Sequence, residues 1–201
     1  MGGRKQAQKD IKPGIYILGE GKTEQYYFTH LKTLLGFQYI VKPRFCRNSS
    51  IDEIGRRIKD LINDCVFIIC VIDLDVINRD SKEKAKYEKL IHKYSNKTDK
   101  ILFCTSFPSI EYWFLLHYKY TNKYFKDSNE VANELKKYIK DYEKKEEYLK
   151  KTKWVEELLK DNKLKTAIER AKKNPDKSGS YTNIYEGIEK VSLLNQIRDK
   201  L

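Results

Sequence analysis

The chain has 201 residues, with 41 Lys plus Arg against 29 Asp plus Glu, and a formal net charge of +12. That excess favours partners carrying phosphate, because Lys and Arg that neutralise phosphates release condensed counterions. No apolar run approaches the roughly 18 residues of a membrane span, and none of signal-peptide type follows the basic Met1-Gly2-Gly3-Arg4-Lys5, so the expectation is a soluble, cytoplasmic protein without a membrane partner.

Residues 1–12 read as a flexible basic arm. Ile15–Leu18 predicts a short buried strand, and Glu24–Leu35 a helix with Tyr27, Phe28, Leu31, Leu34 and Leu35 on one face, stopped by Gly36. Phe37–Phe45 reads as a second strand and Ile51–Ile62 as an amphipathic helix capped by Ser50 or Asp52. Cys65–Ile72 is continuously apolar and rich in β-branched residues, the pattern of a central strand buried on both faces. A polar helix over Ser81–Tyr94, a strand over Lys100–Cys104 and a helix over Pro108–Tyr118, with Pro in its first turn, complete residues 13–122. Strands alternating with helices predict an α/β domain with a largely parallel sheet. Residues 123–201 shift toward Lys and Glu and read as a helical appendage, interrupted by a loop over Asn174–Ser180 and closed by a helix from Asn183 to about Leu201. The cysteines at 46, 65, 70 and 104 form no Cys-x-x-Cys pair and read as small buried side chains of a reducing compartment.

Parallel strands deliver their C-terminal ends to one sheet edge, where ligands bind. Three carboxylates fall there: Glu20 after the first strand, and Asp73 and Asp75 after the central one. Gly19-Glu20-Gly21-Lys22-Thr23 suggests a phosphate-binding loop, but the spacing rejects it, since the position of the required first Gly is Tyr16. The two glycines instead allow a sharp turn that presents Glu20. Glu24, in the first helical turn, either faces the same site or simply favours the positive end of the helix dipole. Asp73 and Asp75 point to one side together if the strand continues past Leu74; otherwise Asp73 caps a turn and Asp75 is solvated. Clustered carboxylates repel unless a cation compensates, so Glu20, Asp73 and Asp75 are candidate ligands for Mg²⁺ or Mn²⁺.

Gly19-Glu20-Gly21-Lys22-Thr23-Glu24 with Tyr27-Phe28, then Asp73-Leu74-Asp75, then Ser106 to His117, and finally Thr182-Asn183-Ile184-Tyr185 resemble, in order, the motifs of the RloB family. The chain departs from that pattern at Phe107-Pro108, where Asn-Pro is usual, and at Leu74, where Arg is frequent. The resemblance implies a Toprim-like parallel sheet with a Glu after its first strand and an Asp-x-Asp after a later one. It further implies a phage-defence effector with a metal-dependent nuclease site, acting on RNA such as tRNA or on DNA, and a partner AAA-type ATPase encoded nearby. It places Glu111 as an additional acidic group of the site, against a capping role one turn after Pro108.

Lys22 is the obvious candidate to stabilise charge on a scissile phosphate, with Glu24 or Glu111 completing a second metal or serving as general base. His117 reads either as a general base or, flanked by Leu116 and Tyr118, as a core residue. Thr182 and Asn183 most simply cap the last helix. The Lys-rich stretches around Tyr138, Tyr142, Tyr148 and Trp154 fit two readings: aromatic rings stacking on unpaired bases, or a solvated helix with its aromatics in the core. The functional alternative is a non-catalytic subunit that binds nucleic acid or docks on the ATPase; a nucleotidyl transferase using the same metals is a third reading.

Overall fold

Residues 13–42, 50–174 and 177–198 are described by the computed structural model of the chain. Five strands form one sheet in the order β2-β1-β3-β4-β5: β1 is Ile15–Gly19, β2 Ile40–Lys42, β3 Phe67–Asp73, β4 Ile101–Phe107 and β5 Tyr181–Thr182. The first four are mutually parallel, whereas β5 runs antiparallel to β4. The unbroken apolar character of β1 and β3 follows from burial on both faces. Along β1, Ile15 and Ile17 enter one core cluster while Tyr16 and Leu18 enter another; along β3, Phe67, Ile69 and Val71 join the first and Ile68, Cys70 and Ile72 the second. This is the period-two alternation of a strand.

The second cluster is closed by α2 (Ile51–Leu61), α3 (Asp75–Arg79) and α4 (Ser81–Tyr94) through Ile54, Ile58, Ile77 and Leu90. Ser50 caps α2, its side chain accepting from the Glu53 N–H, and Asp80 caps α4 in the same way through Lys82 and Glu83. The first cluster is covered by α1 (Lys22–Leu35), α5 (Ile110–Leu116), α6 (Ser128–Leu135), α7 (Glu146–Leu149), α8 (Lys153–Leu159), α9 (Lys163–Lys172) and α10 (Ile184–Arg198).

The helices after residue 123 do not stand off as an appendage. Phe125, Val131, Leu135, Trp154, Leu158 and Ile188 belong to the same core as Ile17 and Ile69. There α7 and α8 pack on α1, α6 and α9 on α5, and α10 on β4, while β5 extends the sheet. The reason is coverage: an α/β sheet needs helices on both faces, and among the described residues the first half of the chain places only α1 and α5 on this one.

Three further differences bear on the site. The central strand ends at Asp73, and Asp75 opens α3, so the two aspartates do not share a strand face. The helix expected from Pro108 begins at Ile110, with Ser109 in the N-cap position and the Phe107–Pro108 peptide cis. Of the strand expected over Phe37–Phe45, Ile40–Lys42 forms; its last residues, like the arm over 1–12, Cys46 and the chain's final residues, lie outside the described residues. Cys65, Cys70 and Cys104 are buried and free. Among the described residues no helix is long and apolar enough to cross a membrane.

Candidate functional site

The C-terminal ends of β1, β3 and β4 bring Glu20, Asp73 and the start of α5 to one edge. Gly19 lets α1 begin directly against β1, because a Cβ on Gly19 would stand 2.6 Å from the Cβ of Glu24. Glu24 thereby turns inward. Its Oε2 accepts from the Gly21 N–H at 2.8 Å, and the side chain is buried, so Glu24 caps α1 while facing inward.

Asp73 ends β3 half-buried, its Oδ1 accepting from the Ile110 N–H at 2.9 Å. The turn that follows is held against the end of β4, with the Leu74 N–H donating to the Ser106 carbonyl at 2.9 Å and the Asp75 N–H to that of Pro108 at 3.1 Å. Asp75 is buried but engaged: Oδ1 accepts from the Val76 N–H at 2.7 Å and Oδ2 from Arg79 at 3.3 Å. It borders the cluster, where its charge acts on Glu20.

Glu111 is fully buried, and both of its oxygens are taken. Oε2 accepts from Ser109 Oγ at 2.5 Å, while Oε1 accepts from Tyr142 Oη at 2.9 Å and pairs with Lys144 Nζ at 3.0 Å. A carboxylate so enclosed is a poor general base and a good anchor. Tyr142 and Lys144 come from the connection between α6 and α7, and neither was singled out from the sequence as part of the acidic site. Lys22 lies elsewhere: it is exposed, and it pairs with Glu146, which also accepts from Tyr26. The cation facing the carboxylates is therefore Lys144, whose charge acts on Glu111, Asp73 and Glu24.

These groups are electrostatically crowded. Burial raises Glu20 well above the usual carboxylate range, and Glu24, Asp75 and Glu83 raise it further, against a hydrogen bond from the Asp73 backbone. Burial likewise lifts Asp73 well above its ordinary value, with the charges of Glu24, Glu20 and Glu111 adding to the effect and Lys144 opposing it. Glu24 is raised by burial and by Glu111, again against Lys144. Burial works against the charge on Lys144, yet the surrounding carboxylates hold its pKa above the ordinary lysine value. One lysine thus faces Glu24, Asp73 and Glu111, and Glu20 Oε1 is buried with no hydrogen-bond partner. An orphaned carboxylate oxygen among repelling carboxylates suits a hard divalent cation. Among the described residues no group of three or more His, Cys, Asp or Glu side chains is arranged so that together they could hold a metal ion, so the fit rests on the Glu20 oxygen and its neighbours' repulsion.

His117 is a core residue: it is buried, its ring packs edge-on to Trp113 at 4.8 Å, and its Nδ1 lies 3.0 Å from the Trp113 carbonyl. Thr182 and Asn183 tie the β5 turn to β4 as well as leading into α10. The Thr182 and Ser106 hydroxyls meet at 2.8 Å, and Asn183 Oδ1 accepts from the Thr105 N–H at 2.6 Å.

Searches of curated proteins and of solved structures each give no match. The family profile described as RloB-like protein matches residues 15–191, a stretch that runs from the first residue of β1 into α10 and includes Glu20, Asp73, Glu111 and Lys144. With most of its length covered by that profile, the chain belongs to the RloB-like protein family.

Proposed function

We propose that this protein is a Toprim-like, divalent-metal-dependent nuclease, cutting RNA (tRNA among the candidate substrates) or DNA as a phage-defence effector beside an AAA-type ATPase. The observation that carries the reading is the placement of Glu20, Glu24 and Asp73 at the sheet edge, each with a raised pKa, with Lys144 acting on Glu24 and Asp73 and one Glu20 oxygen left unpartnered. Such repulsion is retained where an added cation relieves it. The order of the acidic motifs, a Glu after β1 and an Asp after β3, supports the Toprim-like assignment within a mostly parallel sheet.

Glu20 and Asp73 would hold Mg²⁺ or Mn²⁺, with Glu24 behind them and Asp75 at the border. When bound, such a cation activates water and offsets charge on the scissile phosphate. Lys144 takes the role first assigned to Lys22: it donates toward the phosphate oxygens, positioned by Glu111, which is itself held by Ser109 and Tyr142. Glu20 and Glu24, whose pKa values burial and neighbouring carboxylates raise, are the groups placed to accept the proton of the attacking water.

The test is incubation of the purified protein with total cellular RNA and with plasmid DNA, in Mg²⁺, Mn²⁺ or EDTA, beside Glu20→Gln. Metal-dependent cleavage lost in Glu20→Gln supports the reading, and the polymer cut identifies the substrate. Activity that survives both EDTA and the substitution overturns it. The non-catalytic alternative draws on the Lys144–Glu111 pair, which partly neutralises the cluster without metal. It predicts binding that weakens with salt and is indifferent to Mg²⁺, with no cleavage even when the ATPase is added.

A further inference from the structure

Two adjoining hollows lie along the connection between α6 and α7 and the helices that follow it. The larger, of about 550 Å³, is bounded by Tyr118, Tyr138, Trp154, Lys153, Lys163 and Glu157, and the smaller, of about 360 Å³, by Lys136, Tyr142, Glu143 and Glu147; Glu157 and Glu143 are engaged by Lys160 and Lys145. They share Lys140, Asp141, Tyr148 and Lys151 and so form one continuous surface.

Tyr138 is 41% exposed although it stacks on Tyr118, the ring centroids 5.3 Å apart and the planes within 18° of parallel. Lys163 Nζ sits 4.9 Å from the Tyr118 ring centroid and fixes that side of the pair. A buried aromatic pair would be ordinary core. Here one ring is turned to solvent, beside Lys140, Lys151 and Lys153, which together with Lys136 enter no ion pair among the described residues. Trp154 and Tyr142, by contrast, are buried beneath the hollows and only form their floor.

We infer that this surface binds single-stranded nucleic acid, Tyr138 stacking on an unpaired base and Lys136, Lys140, Lys151 and Lys153 contacting successive phosphates. A lone nucleotide would leave most of these lysines unused, and a duplex offers no free base face to Tyr138. The segment that carries the surface also carries the site: Lys140, Asp141 and Tyr148 face the hollows, while Tyr142 and Lys144 hold Glu111. A strand anchored here would thus lie on the segment whose Tyr142 and Lys144 hold Glu111. The inference rests on the nuclease reading for this purpose, but the binding itself needs neither metal nor turnover.

Fluorescence anisotropy in EDTA with labelled oligouridylate and oligodeoxythymidylate separates the two claims, since a protein that binds but never cuts defeats only the nuclease. The triple variant Lys140→Glu, Lys151→Glu, Lys153→Glu should weaken binding by at least about tenfold and flatten its salt dependence. The control Lys82→Glu, Lys84→Glu, Lys89→Glu on α4 should change it less than about twofold. Tyr138→Ala should weaken binding at least about fivefold on a base-bearing strand and hardly at all on an abasic one, with Tyr138→Phe restoring it. Four results overturn the inference: no binding by the native chain, equal losses in both triple variants, a Tyr138→Ala loss that persists on the abasic strand, or competition by duplex or polyglutamate equal to that of the single strand.

Discussion

Asp73 shows how a side chain can be costly to the fold and still be kept at the proposed site. Its Oδ1 holds the start of α5, while its charge is opposed by burial and by Glu24, Glu20 and Glu111. Asp73→Asn keeps the acceptor for Ile110 and removes the charge. Cleavage should fall below about a hundredth of wild type. The metal-free protein at pH 8 should melt about 2–4 °C higher for each kcal/mol of repulsion removed, measured by circular dichroism in EDTA. Because the pKa values of Glu20, Glu24 and Asp73 are raised, their contribution to stability is full below the ordinary carboxylate range and is lost as pH rises through their folded values. Mg²⁺ should therefore stabilise more at pH 8 than at pH 5. His117 has the opposite sign. Burial pushes it down to about 3 from an ordinary 6.5, so its contribution is present above 6.5 and lost as pH falls toward 3. His117→Leu should remove part of the destabilisation between pH 6.5 and pH 4 and leave cleavage at pH 8 unchanged; a large loss of cleavage would return His117 to the site.

Elements set the geometry that these residues use, and Gly19 sets the nearest approach. An alanine there would place its Cβ 2.6 Å from that of Glu24, so the first turn of α1 must move. Gly19→Ala should lose about 1–3 kcal/mol in chemical denaturation and weaken Mn²⁺ binding. The comparison is Gly36→Ala at the other end of α1, where φ is +69 but nothing lies within 4 Å; it should lose about 1 kcal/mol and leave Mn²⁺ affinity alone. What the sequence disclosed follows the same division between near and far. Ile15–Leu18 and Cys65–Ile72 were legible as strands because burial on both faces makes the whole run apolar, and Ser81–Tyr94 was legible as a polar helix, which the structure shows capped by Asp80. α3 was not, since Asp75–Arg79 is a single short turn of helix with no period long enough to read. Glu20 and Asp73 could be placed from strand ends alone. Lys144 could not, because it meets Glu111 only through the path of the chain after α6, and locally it is one lysine among many. Lys22 was chosen for nearness in sequence, whereas in the fold Glu146 claims it.

At the scale of the whole molecule, the question is whether residues 13–122 form a unit to which the rest is attached. Composition argued for a division, because Lys and Glu dominate after residue 123 and hide a sparse but regular set of apolar positions. The packing argues against it. Trp113 and Phe114 on α5 are fully buried, and Phe114 meets Trp154 at 5.2 Å and Tyr142 at 6.3 Å, both from the later region. Arg170 on α9 donates to the Leu116 carbonyl at 2.7 Å, and β5 supplies the edge partner of Ser106 and Phe107. Cut at residue 122, the chain would expose that aromatic face to water at roughly 25 cal/mol for each Å² and leave Glu111 without Tyr142 and Lys144. Unfolding of the intact chain should accordingly be a single transition by both far-ultraviolet circular dichroism and tryptophan fluorescence. The fragment 13–122 should show no cooperative melt and should bind a hydrophobic dye, and Mg²⁺ should change neither behaviour. A fragment that melts cooperatively would mean that α1 and α5 cover enough of the sheet unaided, and the later helices would then have to be assigned to the site and its substrate instead of the core.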